Sequence, residues 1–304
     1  KSALEKVGYS CSYVSSIKGH KTDLIVFPMG IDAWKYYFKG YKNFILWQQG
    51  ATGEESFLRH RNKIRRLVLN KIDCFVMKKA KFIFFVSDSL KTYYETYGKT
   101  MLGYKSYVMP CFNEELNEDI FEKKDYSKLS FCYVGSLAKW QCFDKIVDLF
   151  ATIQKHHDVA TLKVLTFERE KAEEVLLKKK IRNFVVKTVS KEEVKNELAE
   201  CNYGFIIRDN IVVNNVSTPT KMSSYLCAGV IPIFSSCITD FTRVFNGFKY
   251  IISENNGVFI IPKRVDRKEV CEEFKTIFDT YYNKQKHIKN IIESFLKINL
   301  GEKK

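Results

Sequence analysis

A chain of 304 residues, 45% hydrophobic and 28% charged, is long enough for two α/β domains and too apolar for a disordered polymer. No apolar run approaches the ~20 residues that span a bilayer, and nine scattered cysteines without a C-x-x-C pair argue against a disulfide framework or a thiolate zinc site. The net charge of +15 asks for an anionic partner.

In chain order, Thr22 to Phe27 and Asn43 to Trp47 read as short buried strands that end in Gly- or Pro-bearing loops. A basic helical block follows. Lys81 to Val86 is a strand, and Ser87 or Asp88 caps a helix through Tyr97 that Gly98 stops. Tyr104 to Met109 is a further strand, and the polar stretch Asn113 to Lys128 reads as an interdomain linker. Strands then recur at Phe131 to Val134, Thr161 to Leu165, Phe184 to Lys187, Tyr203 to Ile207, Ile231 to Phe234 and Tyr250 to Ile252. Helices separate them at Phe143 to Lys155, Arg169 to Lys179, Lys191 to Ala199 and Thr220 to Cys227, and the tail from Asp266 to Leu300 is helical by pattern.

Strand-helix alternation on both sides of a linker predicts α/β architecture with two facing, doubly wound Rossmann-like domains. The boundaries fall at 1–125, 126–285 and a C-terminal helix over 286–304 that packs back on the first domain. The first half opens one strand-helix unit short, which predicts a trimmed or reduced first domain, and no secretory pattern precedes it.

In the basic block, Arg59, Arg61, Lys63, Arg65, Arg66, Lys71, Lys78, Lys79 and Lys81 are opposed only by Asp73. Leu58, Ile64, Leu67, Val68, Ile72 and Phe75 recur among them near helical spacing. Two readings stand: a solvated helix with its apolar side on the core, or a membrane-surface helix over 59–81 drawn to anionic headgroups. No zinc-finger or RNP-like module accompanies the charge, so no nucleic-acid partner is expected.

The strongest chemical signal runs from Asn214 to Gly229. Ser217 or Thr218 can cap a helix, Pro219 suits its first position, and the free N–H groups of Thr220 and Lys221 then make an anion site. Arg208-Asp209 precede it at a strand's carboxyl end. A second, weaker signal is Tyr133-Val134-Gly135-Ser136, a small-residue turn after a strand with Lys139 as countercharge. P-loop, G-x-G-x-x-G, G-x-S-x-G and Asp-x-Asp patterns are absent, as is a His pair spaced for zinc, so neither a metal nor a cofactor is expected.

Tyr133-Val134-Gly135-Ser136 with Lys139, then Arg208-Asp209, then Pro219-x-Lys221-x-x-x-Tyr225-Leu226-x-x-Gly229 resembles the family 4-type retaining glycosyltransferases of the GT-B fold (glycosyl transferases group 1). The nearest variety is that of bacterial capsule and surface-polysaccharide clusters. Upstream, Trp47-Gln48-Gln49-Gly50 with Glu54-Glu55-Ser56, then Phe85-Val86-Ser87-Asp88, resembles the acceptor side of the same enzymes. The resemblance implies a nucleoside diphosphate sugar donor and a saccharide or lipid-linked acceptor, joined with retention. It implies cytoplasmic work, peripheral on the inner face of the membrane.

Lys139, Arg208 and Lys221 would be catalytic by stabilising the departing diphosphate. Gly135, Ser136, Asn215, Val216, Ser217, Thr218, Pro219, Thr220 and Ser224 would bind the donor, and Gln49, Gly50, Glu54 and Glu55 would lie on the acceptor side. Two departures stand out: Ser224 occupies the place of the family's ribose-binding Glu, and Val216 that of the Glu eight residues earlier. They imply weaker or altered donor binding, with a catalytically inactive GT-like binding subunit as the alternative.

Overall fold

The computed structural model describes residues 1–17 and 19–301. The first elements are α1 (Ser2–Lys6), β1 (Ile25–Phe27), α2 (Gly30–Phe38), β2 (Phe44–Gln48), α3 (Thr52–His60), α4 (Lys63–Lys79), β3 (Phe82–Phe85), α5 (Asp88–Gly98) and β4 (Ser106–Val108). There follow α6 (Asp119–Glu122), β5 (Ser130–Val134), α7 (Phe143–His156), β6 (Thr161–Leu165), α8 (Arg169–Lys178), β7 (Phe184–Lys187), α9 (Val194–Ala199) and β8 (Tyr203–Ile206). The chain continues through α10 (Val212–Asn215), α11 (Lys221–Cys227), β9 (Ile231–Phe234), α12 (Thr239–Val244), β10 (Ile252–Ser253), α13 (Arg267–Thr280) and α14 (Lys284–Gly301).

Two compact units result. The first holds Lys1–Pro110, Asn215–Ser217 and Asn283–Lys304; the second holds Cys111–Asn214 and Thr218–Tyr282. In the first unit four parallel strands lie in the order β1-β2-β3-β4, with Ile45 opposite Phe82 and Leu46 opposite Ile83. Alternate residues of β2 point to opposite faces. Ile45, with Phe82, meets Leu4 of α1 and Phe295 of α14, while Phe44 meets Tyr37 of α2 edge-on at 6.3 Å. Helices therefore cover both faces of the sheet, which is why its strands read as unbroken apolar runs.

The second unit is a six-stranded parallel sheet, order β10-β9-β8-β5-β6-β7. From β5 the chain proceeds outward to β6 and β7, then returns to lay β8, β9 and β10 on the other side. The order reverses between β5 and β8, which pair through Phe131↔Tyr203 and Cys132↔Gly204. Gly204 is required there, because a Cβ on it would lie 2.6 Å from the buried ring of Tyr225.

Two local expectations changed. The stretch read as a linker carries α6 and is packed into the second unit: Phe121 is buried, Tyr126 donates to Gly229 O at 2.7 Å, and Lys124 Nζ donates to Cys201 O at 2.6 Å. Polar composition concealed it because Phe121 and Tyr126 are its only large buried anchors. The helical tail divides into α13, in the second unit, and α14, in the first, where the C-terminal helix was placed. The basic block is also two helices, which turn at Arg61 in the left-handed region (φ 53°) before Asn62 caps α4 by accepting from Arg65 N.

Candidate functional site

β5 ends at Val134 and hands the chain to Gly135, whose φ of 135° suits only glycine. A Cβ there would lie 2.9 Å from Lys221 Cε and 3.0 Å from its Nζ. The turn is held from outside: Gly135 N donates to Leu165 O at 2.9 Å, Tyr133 Oη donates to Ser136 O at 2.5 Å, and Leu137 N donates to Glu168 Oε2 at 2.5 Å. A single 3-10 turn, Lys139–Gln141, then leads through Cys142 (φ 53°) into α7.

Across the reversal point, Arg208 follows β8 and is buried at 6% exposure. Its backbone N–H donates to Ser235 Oγ, and its guanidinium donates to Ile207 O at 2.9 Å and Gln141 O at 3.2 Å. A further bond of 2.6 Å runs from Arg208 to Gln141 Oε1. Lys221, at the start of α11, donates to the same Gln141 Oε1 at 2.7 Å, and its Nζ sits 4.1 Å from the centroid of the Tyr133 ring.

Two cations thus converge on one neutral amide oxygen, and among the described residues no carboxylate pairs with either. Burial pushes the Lys221 ammonium well below the ordinary lysine value, and Arg208 beside it lowers it further. Burial also lowers Arg208. Desolvating two like charges costs several kcal/mol per ion in a site left unpaired, so the arrangement favours an anionic ligand. It lies at the carboxyl ends of β5 and β8, the switch point where open α/β sheets bind ligands.

The other expected donor residues fall out unevenly. Thr218, Pro219 and Thr220 belong to the second unit with Lys221, whereas Asn215, Val216 and Ser217 belong to the first, where Ser87 Oγ donates to Val216 O at 2.6 Å. The expected cap is not made. Helix α11 has only seven residues, its N-cap is Thr220 in helical backbone, and no side chain caps it. Instead Pro219 O accepts from Met222 N, and Thr220 O accepts from Ser224 N and from the hydroxyls of Ser223 and Ser224. The cationic groups at this point are therefore side chains rather than a capped helix end. Ser224 is half-buried with its hydroxyl turned to its own backbone. Ser136 is exposed, as is Lys139, and among the described residues no hydrogen bond or ion pair joins the Lys139 ammonium to the cluster. Asp209 pairs outward with Lys145.

Gln141 was not legible in the sequence, since a polar residue in a turn carries no spacing signal. Only the fold shows both cations meeting on it.

On the acceptor side, within the first unit, Gly50 O accepts from Gln48 Nε2 at 2.6 Å and from Tyr94 Oη at 3.3 Å. Tyr94 also donates to Asp73 Oδ2 at 2.7 Å. Burial pushes the Asp73 carboxyl up to about 6, while the bonds from Tyr94, Thr52 and Gln48 oppose the rise. Glu55 lies so close under Gly50 that a Cβ on Gly50 would meet its Oε1 at 2.2 Å. Burial raises the Glu55 carboxyl and Arg59 pulls it back. Glu54 accepts from Tyr93 Oη at 3.0 Å and faces Arg66 at 3.5 Å, and Gln49 is exposed. Asp73 and Tyr94 are the members of this network that sequence reasoning missed; Gln48 stood in the acceptor-side motif without a role.

No protein-family model matches the sequence, and no curated protein does. Solved structures do. TarM of S. aureus, a variant in complex with fondaparinux, α-GlcNAc-glycerol and UDP, matches with a TM-score of 0.63 at 8% identity, over 91% of this chain and 55% of that one. The pneumococcal O-GlcNAc transferase GtfA, in complex with UDP and GlcNAc, matches at 0.55 and 10% identity, over 93% and 56%. Sucrose-phosphate synthase from Thermosynechococcus elongatus matches at 0.56 and 11% identity, over 91% and 69%. The chain thus spans little more than half the length of the first two. At such identities the likeness establishes the fold, and that fold is GT-B: two Rossmann-like α/β units with parallel sheets.

Proposed function

We propose that this chain moves a sugar from a nucleoside diphosphate sugar to a saccharide or lipid-linked acceptor, with retention, in the building of a surface polysaccharide. The observation that carries the reading is the pair of cations, buried Arg208 and half-buried Lys221, on the Gln141 amide at the switch point of the second sheet. Neighbours of the same fold have UDP in their complexes, which supports a nucleotide at this place. Charge that develops on a departing diphosphate would be met by preorganised side-chain donors, and such electrostatic stabilisation commonly accelerates transfer more than any other single effect. A diphosphate oxygen replaces the Gln141 oxygen, so Gln141 holds the two cations in position until the donor arrives. No metal ion is required by this scheme.

One observation favours a second reading, a binding subunit without transfer: Ser224 turns its hydroxyl to Thr220 O and brings no charge to a ribose.

Calorimetric titration with UDP and GDP tests the proposal. Wild-type protein should bind at least one of them. Lys221→Ala should weaken that binding at least tenfold, since a hydrogen bond to a charged group is worth about 1.5–3 kcal/mol. Gln141→Glu, which offers both cations a permanent carboxylate, should weaken it on the order of tenfold while raising the melting temperature. Absence of binding to every nucleoside diphosphate sinks the donor site. Binding without sugar transfer to any acceptor selects the second reading.

A further inference from the structure

Helix α4 is amphipathic in an unusual sense. At 100° per residue, Ile64, Leu67, Val68, Lys71, Phe75 and Lys78 form one stripe, and Asn70, Asp73, Val76 and Met77 form the opposite one. The second stripe is the buried one. The aliphatic stripe faces out: Ile64 is 77% exposed, Leu67 48% and Val68 47%. The helix thus turns a carboxylate and an amide inward beside Val76 and Met77, and shows Ile64, Leu67 and Val68 to solvent, framed by exposed Lys63, Lys71, Lys78 and Lys79. The only acidic residue on α4 is Asp73, which is on the buried side.

Helix α2 packs beside α4 and extends the same surface. Phe38, 67% exposed, stacks on Phe75 with ring centroids 5.9 Å apart and an interplanar angle of 10°. Trp34 meets Phe38 edge-on at 5.5 Å, and Lys79 Nζ lies 6.0 Å over Phe75. The result is a continuous aromatic and aliphatic patch on the first unit, ringed by lysines. Isolated exposed apolar residues are ordinary, but a contiguous patch is a contact surface.

We propose that this α2–α4 face docks on an anionic lipid surface, with Ile64, Leu67, Val68 and Phe38 in the headgroup–acyl boundary and the lysines on the headgroups. Charge selects this occupant. A second copy seated on the same patch would bring the lysines of both chains together, with no exposed acid on α4 to answer them. A nucleic acid would use the lysines but leave the aliphatic stripe without a partner. Only an anionic bilayer takes both parts, as interfacial helices with basic flanks do.

Co-sedimentation of the full chain with phosphatidylglycerol-rich vesicles, against pure phosphatidylcholine vesicles, tests this. Binding to the first and not the second is expected, weakening with salt. Each of Lys71→Gln and Lys78→Gln should lower the partition coefficient about fivefold, from about 1 kcal/mol per basic side chain near the surface. The combined Ile64→Ser, Leu67→Ser, Val68→Ser variant should remain in the supernatant with an unchanged melting temperature, because these side chains are exposed. The proposal is overturned if the wild type ignores anionic vesicles, if the triple variant still binds them, or if the patch instead drives self-association in light scattering. Nucleotide titration of the same variants separates this outcome from the transferase reading, which stands or falls at Lys221.

Discussion

Asp73 is 1% exposed and takes its hydrogen bonds from neutral groups, Tyr94 first, rather than from a cation. Its carboxyl, raised to about 6 by burial, stands above an unfolded value of about 3.9. Between those values the folded chain holds a proton that the unfolded chain releases, so stability falls as pH rises through the window and the loss is complete above it. A difference of this size is worth about 3 kcal/mol at most. Asp73→Asn keeps an acceptor for Tyr94 and is uncharged at every pH. Urea midpoints should therefore coincide with wild type at about pH 4 and exceed it at about pH 8. An equal difference at both would show that Asp73 is ionised in the fold. Single residues of this kind were hard to read: Gln48, Asp73, Tyr94 and Gln141 lie far apart in the chain, and ordinary polar residues give no sign of the partner that the fold supplies.

Among the elements, strands were read most faithfully. Those of both sheets are parallel and covered on both faces where the core lies, so burial leaves uninterrupted apolar runs. Helix ends were read less well. Ser87 caps α5 as expected, accepting from Leu90 N at 2.9 Å, but the N-cap of α11 is Thr220 rather than Ser217 or Thr218, and Pro219 O takes Met222 N. The corner of α3 and α4 also escaped, although one residue governs it. A Cβ on Gly53 would meet Asn70 Oδ1 at 2.2 Å and Arg66 O at 2.7 Å. The second contact is to backbone, which cannot swing aside. Gly53→Ala should push α3 off α4 at a cost of about 1–3 kcal/mol, read as a lower urea midpoint with unchanged slope. A variant as stable as wild type would mean that the corner tolerates the shift. The direction of α4 was left open between two readings, because helical periodicity identifies an apolar stripe without saying which side of the helix meets the core.

At the scale of the whole molecule, sequence neighbours part and distant ones join. Helices α13 and α14 adjoin in sequence but lie in separate units, and Leu4 and Phe295 meet over Ile45 and Phe82 in the first. Phe295 is 4% exposed, with its ring 5.9 Å from that of Phe82. Phe295→Ala should destabilise the first unit by about 3–5 kcal/mol, and hydrogen exchange should quicken in α1 and α14 before it does in α7 or α13. Uniform quickening would show that the two units unfold together. The sequence by itself determined the class of the fold: local periodicity, Gly and Pro punctuation and caps are short-range signals, and alternating strands and helices leave few topologies open. Strand-helix order also put Gly135 and Arg208 at strand ends and Lys221 at a helix start. Only the tertiary structure decided that Gln141 unites Arg208 and Lys221, that Lys139 stands apart, and that α4 turns its aliphatic side outward. Each of these depends on which surfaces meet, and that is a long-range property that composition and spacing do not encode.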